Sequence, residues 1–389
     1  MKNWQEKTLG ELCEINPKLS ANSFAPEHEV SFVPMAAVDE ISGSIAREQV
    51  KPYSEVAKGY TPFKDGDVLF AKITPCMQNG KAAIARELRN GVGFGSTEFH
   101  VLRPKPAILA KWIFAFIRQP SFRARAEESF TGTGGQQRVP GEFLKRFPIP
   151  VPPLLEQARI VKLLDEADAL RKLRAEASKC AAALIPALFD EMFGQMDAKH
   201  CQWPREKFEN LITIEAAMVD PREEEYLDLP HIGADRIESK SGKLLESKSA
   251  REDGLISSKF LFDERDVLYS KIRPNLRKAA IPNGIGLCSA DMYPIRPGPK
   301  ILREFLWTFL LSDFFTDRAV ELSARTNMPK LNRVQLNSIE CAVPPLPLQQ
   351  AFATRVAAIC ALETAQAASR ARLEELFQSM LHKAFRGEL

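Results

Sequence analysis

The chain is poor in the residues that build covalent or metal frameworks. Its seven cysteines (Cys13, Cys76, Cys180, Cys201, Cys288, Cys341, Cys360) are scattered through 389 residues, with no C-x-x-C and no histidine pair beside them. A disulfide scaffold is excluded, and reduced thiols are expected. The five histidines (His28, His100, His200, His231, His382) fall in no H-x-x-x-H pattern, so no zinc site is expected. No stretch approaches 18 apolar residues, and the opening MKNWQEKTLGELCEINP lacks the apolar core of a signal peptide. Membrane spanning and secretion are therefore not expected, and a cytoplasmic location is.

Catalytic signatures are also missing. The glycine-rich stretches GVGFG at 91–95 and GTGG at 132–135 complete neither a dinucleotide fingerprint nor a phosphate loop. The V-P-P-L segments lack the leading Asn or Asp and the trailing aromatic of an amino-methyltransferase loop. Acidic clusters such as REEEY at 222–226 read as solvated surface. Nor does charge of one sign dominate: the net charge is +3, so a case for nucleic acid must rest on local clusters.

What is present is written twice. GDVLFAKITPCMQNGKAAI at 66–84 is answered by RDVLYSKIRPNLRKAAI at 265–281, and FHVLRPKPAILAKWIFAFI at 99–117 by MYPIRPGPKILREFLWTFL at 292–310. V-P-P-L followed by x-x-Q occurs at 151–157 and again at 343–349. An ordered repeat of this length predicts two copies of one architecture. Runs such as DVLFAKI read as strands and AKWIFAFIRQPSFRARAEES as helix, giving an α+β head in each copy. After the paired prolines, Pro and Gly nearly vanish and Ala, Leu, Glu, Lys and Arg dominate, which predicts a long helix.

The expected domains are a first head at 1–153, a helix at 154–197, a second head at 198–345 and a second helix at 346–389. The helical tails carry heptad-like apolar spacing, with a seam expected at Leu163, Ala167, Leu170, Ala177 and Leu184 in one and at Ile359, Leu362, Leu373, Leu376 and Met380 in the other. About 40 helical residues reach roughly 60 Å, longer than a small domain is wide. Two such helices in one chain are expected to pair as an antiparallel coiled coil, with the heads related by an approximate two-fold axis. Pro186 should interrupt the first helix locally.

Basic and amide residues cluster in matched places. Lys271, Arg273, Arg277 and Lys278 lie in a run from Val267 to Ala290 without acids; Arg325, Asn327, Lys330, Asn332 and Arg333 lie in another from Leu322 to Ile339. The first copy has Lys72, Gln78, Asn79 and Lys81, then Gln136, Gln137 and Arg138. Such groups suit phosphates, and Arg, Lys, Gln and Asn also fit base edges. Double-stranded DNA is the expected partner, although any one of these residues could simply be solvated surface.

The motifs IPVPPLLEQARIVKLLDEADALRKLR, CAVPPLPLQQAFATRV, LFDEMFG at 188–194 and the final LHKAFRGEL, with the 66–104 run, resemble the specificity subunits of type I restriction-modification enzymes. The resemblance implies two target recognition domains, each reading half of a bipartite asymmetric DNA sequence, with the helices setting the spacer between the halves. It also implies a non-catalytic subunit that recruits two methyltransferase subunits and restriction translocase subunits. S-adenosylmethionine, ATP and Mg would sit on those partners, and this chain would bind none. Partner contacts would run along 154–195 and 346–389. The second copy departs from this pattern, with PLQQAF where the first has LLEQAR. A recognition subunit serving a fused nuclease-methyltransferase, and a coiled-coil scaffold without DNA, are the alternative readings.

Overall fold

The computed structural model describes every residue except 1–3, 20–23, 47, 195, 197–200, 216 and 324–328. Arg325 and Asn327 lie outside the described residues. The chain divides into two compact units, 1–175 with 368–389, and 176–367. Each long helix contributes one part to either unit.

In the first unit, a four-stranded antiparallel sheet runs in the order 13–15, 99–104, 68–71, 82–84. A second sheet orders 49–52, 29–33, 92–95, 61–64, with one parallel pair between 29–33 and 92–95. The run Val68–Ala71 is apolar at every position because both its faces are covered. Side chains alternate across a strand. Val68 and Phe70 join the core made with helices Ala110–Ile117 and Pro120–Glu128, while Leu69 and Ala71 pack with Val33 and Phe63 of the second sheet. The result is three layers, helix on sheet on sheet. A ribbon pairing Gln5–Thr8 with Pro148–Val151 closes the head and delivers the chain to the paired prolines.

The second unit repeats this plan. One sheet orders 212–214, 292–297, 267–270, 279–280, and a second orders 218–219, 259–262, 286–288, 230–232, 248–249, again with a single parallel pair. Val267 and Tyr269 face helix Arg303–Leu311 and Leu268 faces Phe260 and Phe262, the same division of one strand between two cores. The ribbon recurs as Arg205–Lys207 against Glu340–Ala342. A buried carboxylate just before the matching strand of each unit is paired: Arg103 donates to Asp67 at 2.9 and 2.8 Å, and Arg296 donates to Asp266 at 2.8 and 2.9 Å. The α+β duplication read from the sequence is thus present in three dimensions.

The first long helix spans Leu154–Ala182 and resumes as Leu184–Phe193; the second spans Leu346–Phe385. Pro186 has no N–H to offer the carbonyl of Ala182, and the break falls there. Within each unit the two helices run antiparallel. In the first, Arg159 donates to the carbonyl of Leu389 at 2.8 Å while Arg171 reaches Glu374 at 2.8 Å. In the second, Phe189 and Phe193 both meet Phe352, at 5.7 and 5.2 Å between ring centres.

The packed stripe differs from the expected seam. Leu170, Leu184, Leu362 and Leu376 are exposed at 55%, 43%, 46% and 53%. Ile160, Val161, Leu164, Ala181, Ile185, Phe189 and Phe193 are the buried apolar positions of the first helix, and Phe352, Val356, Leu381 and Ala384 those of the second. Leu163, Ala167, Ala177, Ile359, Leu373 and Met380 are half-buried. The reason is that these helices serve two neighbours. Ile160 and Leu164 belong to the core of a head as well as to the helix pair, and a straight helix of roughly 3.6 residues per turn drifts about 20° per heptad from a strict seven-residue seam. Among the described residues no helix is long and apolar enough to cross a membrane.

Candidate nucleic-acid interface

Each head presents one composite loop surface. In the first unit the segment 72–81 leaves strand 68–71 and meets the segment 131–138. Val139 N–H donates to Lys72 O at 2.9 Å, Thr74 N–H to Gln137 O at 3.0 Å, and Thr74 Oγ1 to Gly135 O at 2.8 Å. In the second unit 271–278 meets 329–333 in the same manner: Arg273 N–H donates to Pro329 O and Leu331 N–H to Lys271 O, both at 2.8 Å. The two clusters expected from the sequence in each copy are therefore neighbours in space.

Within these surfaces the residues have distinct duties. Several basic groups are turned inward. Lys81 Nζ donates to Met35 O at 3.3 Å, and its counterpart Lys278 Nζ to Ala234 O at 2.6 Å. Lys271 is buried, donates to Ala290 O and stands 4.9 Å from the Tyr293 ring. Burial holds its ammonium below the ordinary lysine value, and nearby Lys330 acts in the same direction. Asn332 caps helix Arg333–Asn337 by accepting from Gln335 N–H at 2.9 Å, and Arg333 lies 5.8 Å from the Tyr293 ring. These contacts assign Lys81, Lys271 and Asn332 to holding the loops.

Others carry a carboxylate. Arg138 donates twice to Glu98, at 2.9 Å each, which holds the Glu98 carboxyl below its usual range and raises the guanidinium. Arg277 pairs with Asp313, Lys330 lies 3.8 Å from Asp291, and Asn79 Nδ2 donates to Glu40 at 3.1 Å. Exposed pairs of this sort contribute roughly 0–1 kcal/mol, so a phosphate can displace the acid at little cost. Gln78, Gln136 and Arg273 are exposed, Lys72 and Gln137 half-buried. Arg273 and Arg277 both take φ of +50°, on either side of the 274–276 turn. That left-handed geometry costs a non-glycine residue roughly 1–2 kcal/mol, and it turns the Arg273 side chain out while its N–H stays tied to Pro329.

Arg123 was not marked by any sequence pattern. It lies in helix Pro120–Glu128 and donates through Nη1 to Gln78 O at 2.7 Å. Gly80 accommodates it: a Cβ there would approach Arg123 Nη1 to 3.0 Å, and the φ of +77° also favours glycine. Asp313 plays the equivalent part in the second unit by holding Arg277. No group of three or more His, Cys, Asp or Glu converges on a metal-sized site among the described residues. His100 is a neutral fastener, its Nε2 bonded to Val139 O at 2.8 Å and its pKa lowered by burial. All seven cysteines are free, and burial pushes the Cys13 thiol up to about 12.

Residues 1–179 match the type I restriction modification DNA specificity domain. Over 241 residues the chain is 37% identical to the type I restriction enzyme EcoEI specificity subunit of Escherichia coli, covering 60% of this chain and 40% of that one. The chain thus matches well under half the length of this relative. Two solved structures share the fold across nearly the whole chain. One, described as the structural basis underlying complex assembly and conformational transition of the type I R-M system, has a TM-score of 0.66 at 22% identity and covers 99% of this chain and 98% of its own. The other, the type-I restriction-modification system S subunit from M. genitalium, has a TM-score of 0.58 at 15% identity, covering 98% and 96%. Residues 1–179 therefore carry a type I restriction modification DNA specificity domain, and the chain is similar to a type I specificity subunit over 241 residues.

Proposed function

We propose that this chain is the non-catalytic DNA-reading subunit of a type I restriction-modification complex, each unit reading one half of a bipartite, asymmetric target. The observation that supports this most directly is the duplicated loop surface: the same two segments are hydrogen-bonded together in each head, and each surface exposes basic or amide side chains. The loops differ in sequence, TGTGGQQRVP against ARTNMPKLNR, so the two half-sites should differ too. Phosphate contacts give affinity and base contacts give sequence. The long helices then hold the half-sites apart and receive two methyltransferase subunits, with restriction subunits joining the assembly. S-adenosylmethionine, ATP and Mg act on those partners, in the cytoplasm.

Selection from a random duplex pool tests the reading. Two fixed half-sites separated by a fixed spacer should emerge, with log affinity falling linearly against log salt as counterions are released. Transplanting 267–333 from a divergent relative should change one half-site only. Deleting seven residues from each long helix should alter the spacer and leave both half-sites intact. Binding without sequence preference, or with no salt dependence, overturns the proposal in favour of a protein-binding scaffold.

A further inference from the structure

Beside Asn79 and Gly80 the first unit has a half-open pocket of about 360 Å³, within the range of roughly 300–1,000 Å³ typical of small-molecule sites. Phe114 and Ala115 of helix Ala110–Ile117, Leu164 of the first long helix, and Phe377 and Leu381 of the second give it apolar walls. Its lining holds four cations and four carboxylates, but not every cation is paired with an acid. Lys111 pairs with Asp165, and Arg171 pairs with Asp168 at 2.9 Å and Glu374 at 2.5 Å. Glu40, also in the lining, accepts from Asn79.

Arg118 and Arg123 have no ion pair among the described residues. Arg118 Nη2 donates to the carbonyls of Glu40 and Ile41 at 3.1 and 2.6 Å, and Arg123 Nη1 to that of Gln78 at 2.7 Å. The Nε of Arg123 is buried with no hydrogen-bond partner. A guanidinium has five N–H donors, so both retain capacity that the protein does not use. Burial lowers the pKa of Arg118, and the neighbouring Arg171 and Arg123 act the same way against Asp168. An arriving anion would meet two under-neutralised cations in a partly dry site.

We propose that this cavity binds a small organic anion, its carboxylate or phosphate held between Arg118 and Arg123 and its flat apolar body against Phe114 and Phe377. A bare inorganic anion would leave the apolar walls unfilled, and a neutral ligand would leave both guanidiniums without a counter-charge. The Phe114 and Phe377 rings already lie 5.1 and 4.2 Å from the guanidiniums of Arg118 and Arg171, so a planar group can stack beside them. The second copy is not built for this. Leu311 and Thr316 stand where the repeat aligns Arg118 and Arg123. One site per chain is expected.

Isothermal titration of the full chain with phenyl phosphate, and separately with inorganic phosphate, tests the site without DNA. Phenyl phosphate should saturate one site, with inorganic phosphate about tenfold weaker or more. Arg118→Gln should weaken phenyl phosphate at least about tenfold. Ala115→Phe, which fills the cavity and changes no charge, should abolish saturable binding while circular dichroism and the urea midpoint stay unchanged. Absence of saturable binding to the wild type, or equal affinity in Ala115→Phe, overturns the assignment. Because no duplex is present, failure here leaves the DNA-binding outcome untouched, and failure of DNA selection leaves this one intact.

Discussion

The side-chain carbonyl of Gln157 accepts the backbone N–H of Leu109 at 2.9 Å, while its amide donates to Ala107 O at 3.2 Å and Pro152 O at 2.8 Å. Gln349 repeats all three bonds, to Leu302 N–H at 2.8 Å, Lys300 O at 3.1 Å and Pro344 O at 2.8 Å. Both glutamines are fully buried. Leu109 and Leu302 immediately precede helices of their heads, where backbone N–H groups lack intrahelical partners. The V-P-P-L-x-x-Q motif thus bolts the first turn of each long helix to the start of a head helix.

Gln157→Ala and Gln349→Ala should each destabilise their own unit by about 3 kcal/mol, because the deletion strands buried backbone groups. Gln350→Ala, one residue along on the exposed side, should change stability by less than about 0.5 kcal/mol. Urea unfolding followed by hydrogen exchange in each unit separates the outcomes. Equal effects at 349 and 350 would remove the bolt from consideration.

The displaced seam makes a second contrast. Leu164→Ala and Phe189→Ala should cost about 2–5 kcal/mol each, since both side chains fill cores. Leu170→Ala and Leu376→Ala should cost little in the isolated chain, because their side chains face solvent. Thermal unfolding of the four variants checks the ordering.

On the loop surfaces, Arg273→Ala should weaken DNA binding and reduce the salt slope by about one, the signature of a lost phosphate contact. Arg273→Gly should bind as weakly but be more stable by about 1 kcal/mol, since glycine relieves the left-handed backbone. Lys271→Met should instead leave the slope unchanged, its ammonium being tied to Ala290. Gel shifts at several salt concentrations read all three.

Acid should loosen the second unit through Asp263. The side-chain hydrogen bonds from Arg265 hold this carboxyl down to about 2, below its ordinary 3.8, with Arg296 contributing. A folded pKa below the unfolded one stabilises fully above the unfolded value and is lost as pH falls through the folded one. The contribution, at most about 2 kcal/mol, should therefore erode between about pH 4 and pH 2. Asp263→Asn should flatten the urea midpoint over that window, and an unchanged pH profile would refute the assignment.

The duplication was legible because it rests on strong local patterns. VLFA and VLYS within DVLFAKI and DVLYSKI are buried strand-forming runs, and they occupy the same strand between the same two layers. The Pro-Pro punctuation and the Ala- and Leu-rich tails likewise announce the long helices. Matched basic and amide clusters in the two copies are legible in the sequence, but that the two clusters of one copy adjoin is not, and Lys81 and Lys271 cannot be told from Arg273 by composition. Which cation turns inward depends on carbonyls such as Met35 O and Ala290 O, contributed by distant segments. No sequence pattern marks Arg123 for the same reason, since its partner Gln78 lies in another loop.

The sequence alone determined the repeat, the α+β heads, the positions of the long helices and the family resemblance, because periodicity and punctuation are local and survive without a fold. Tertiary structure decided which helix face is buried, which basic side chains remain available and where the Arg118–Arg123 cavity lies. Those outcomes are set by contacts between residues far apart in the chain: a helix flanked by both a head and a second helix buries the face their combined surfaces cover, not the one its heptads suggest.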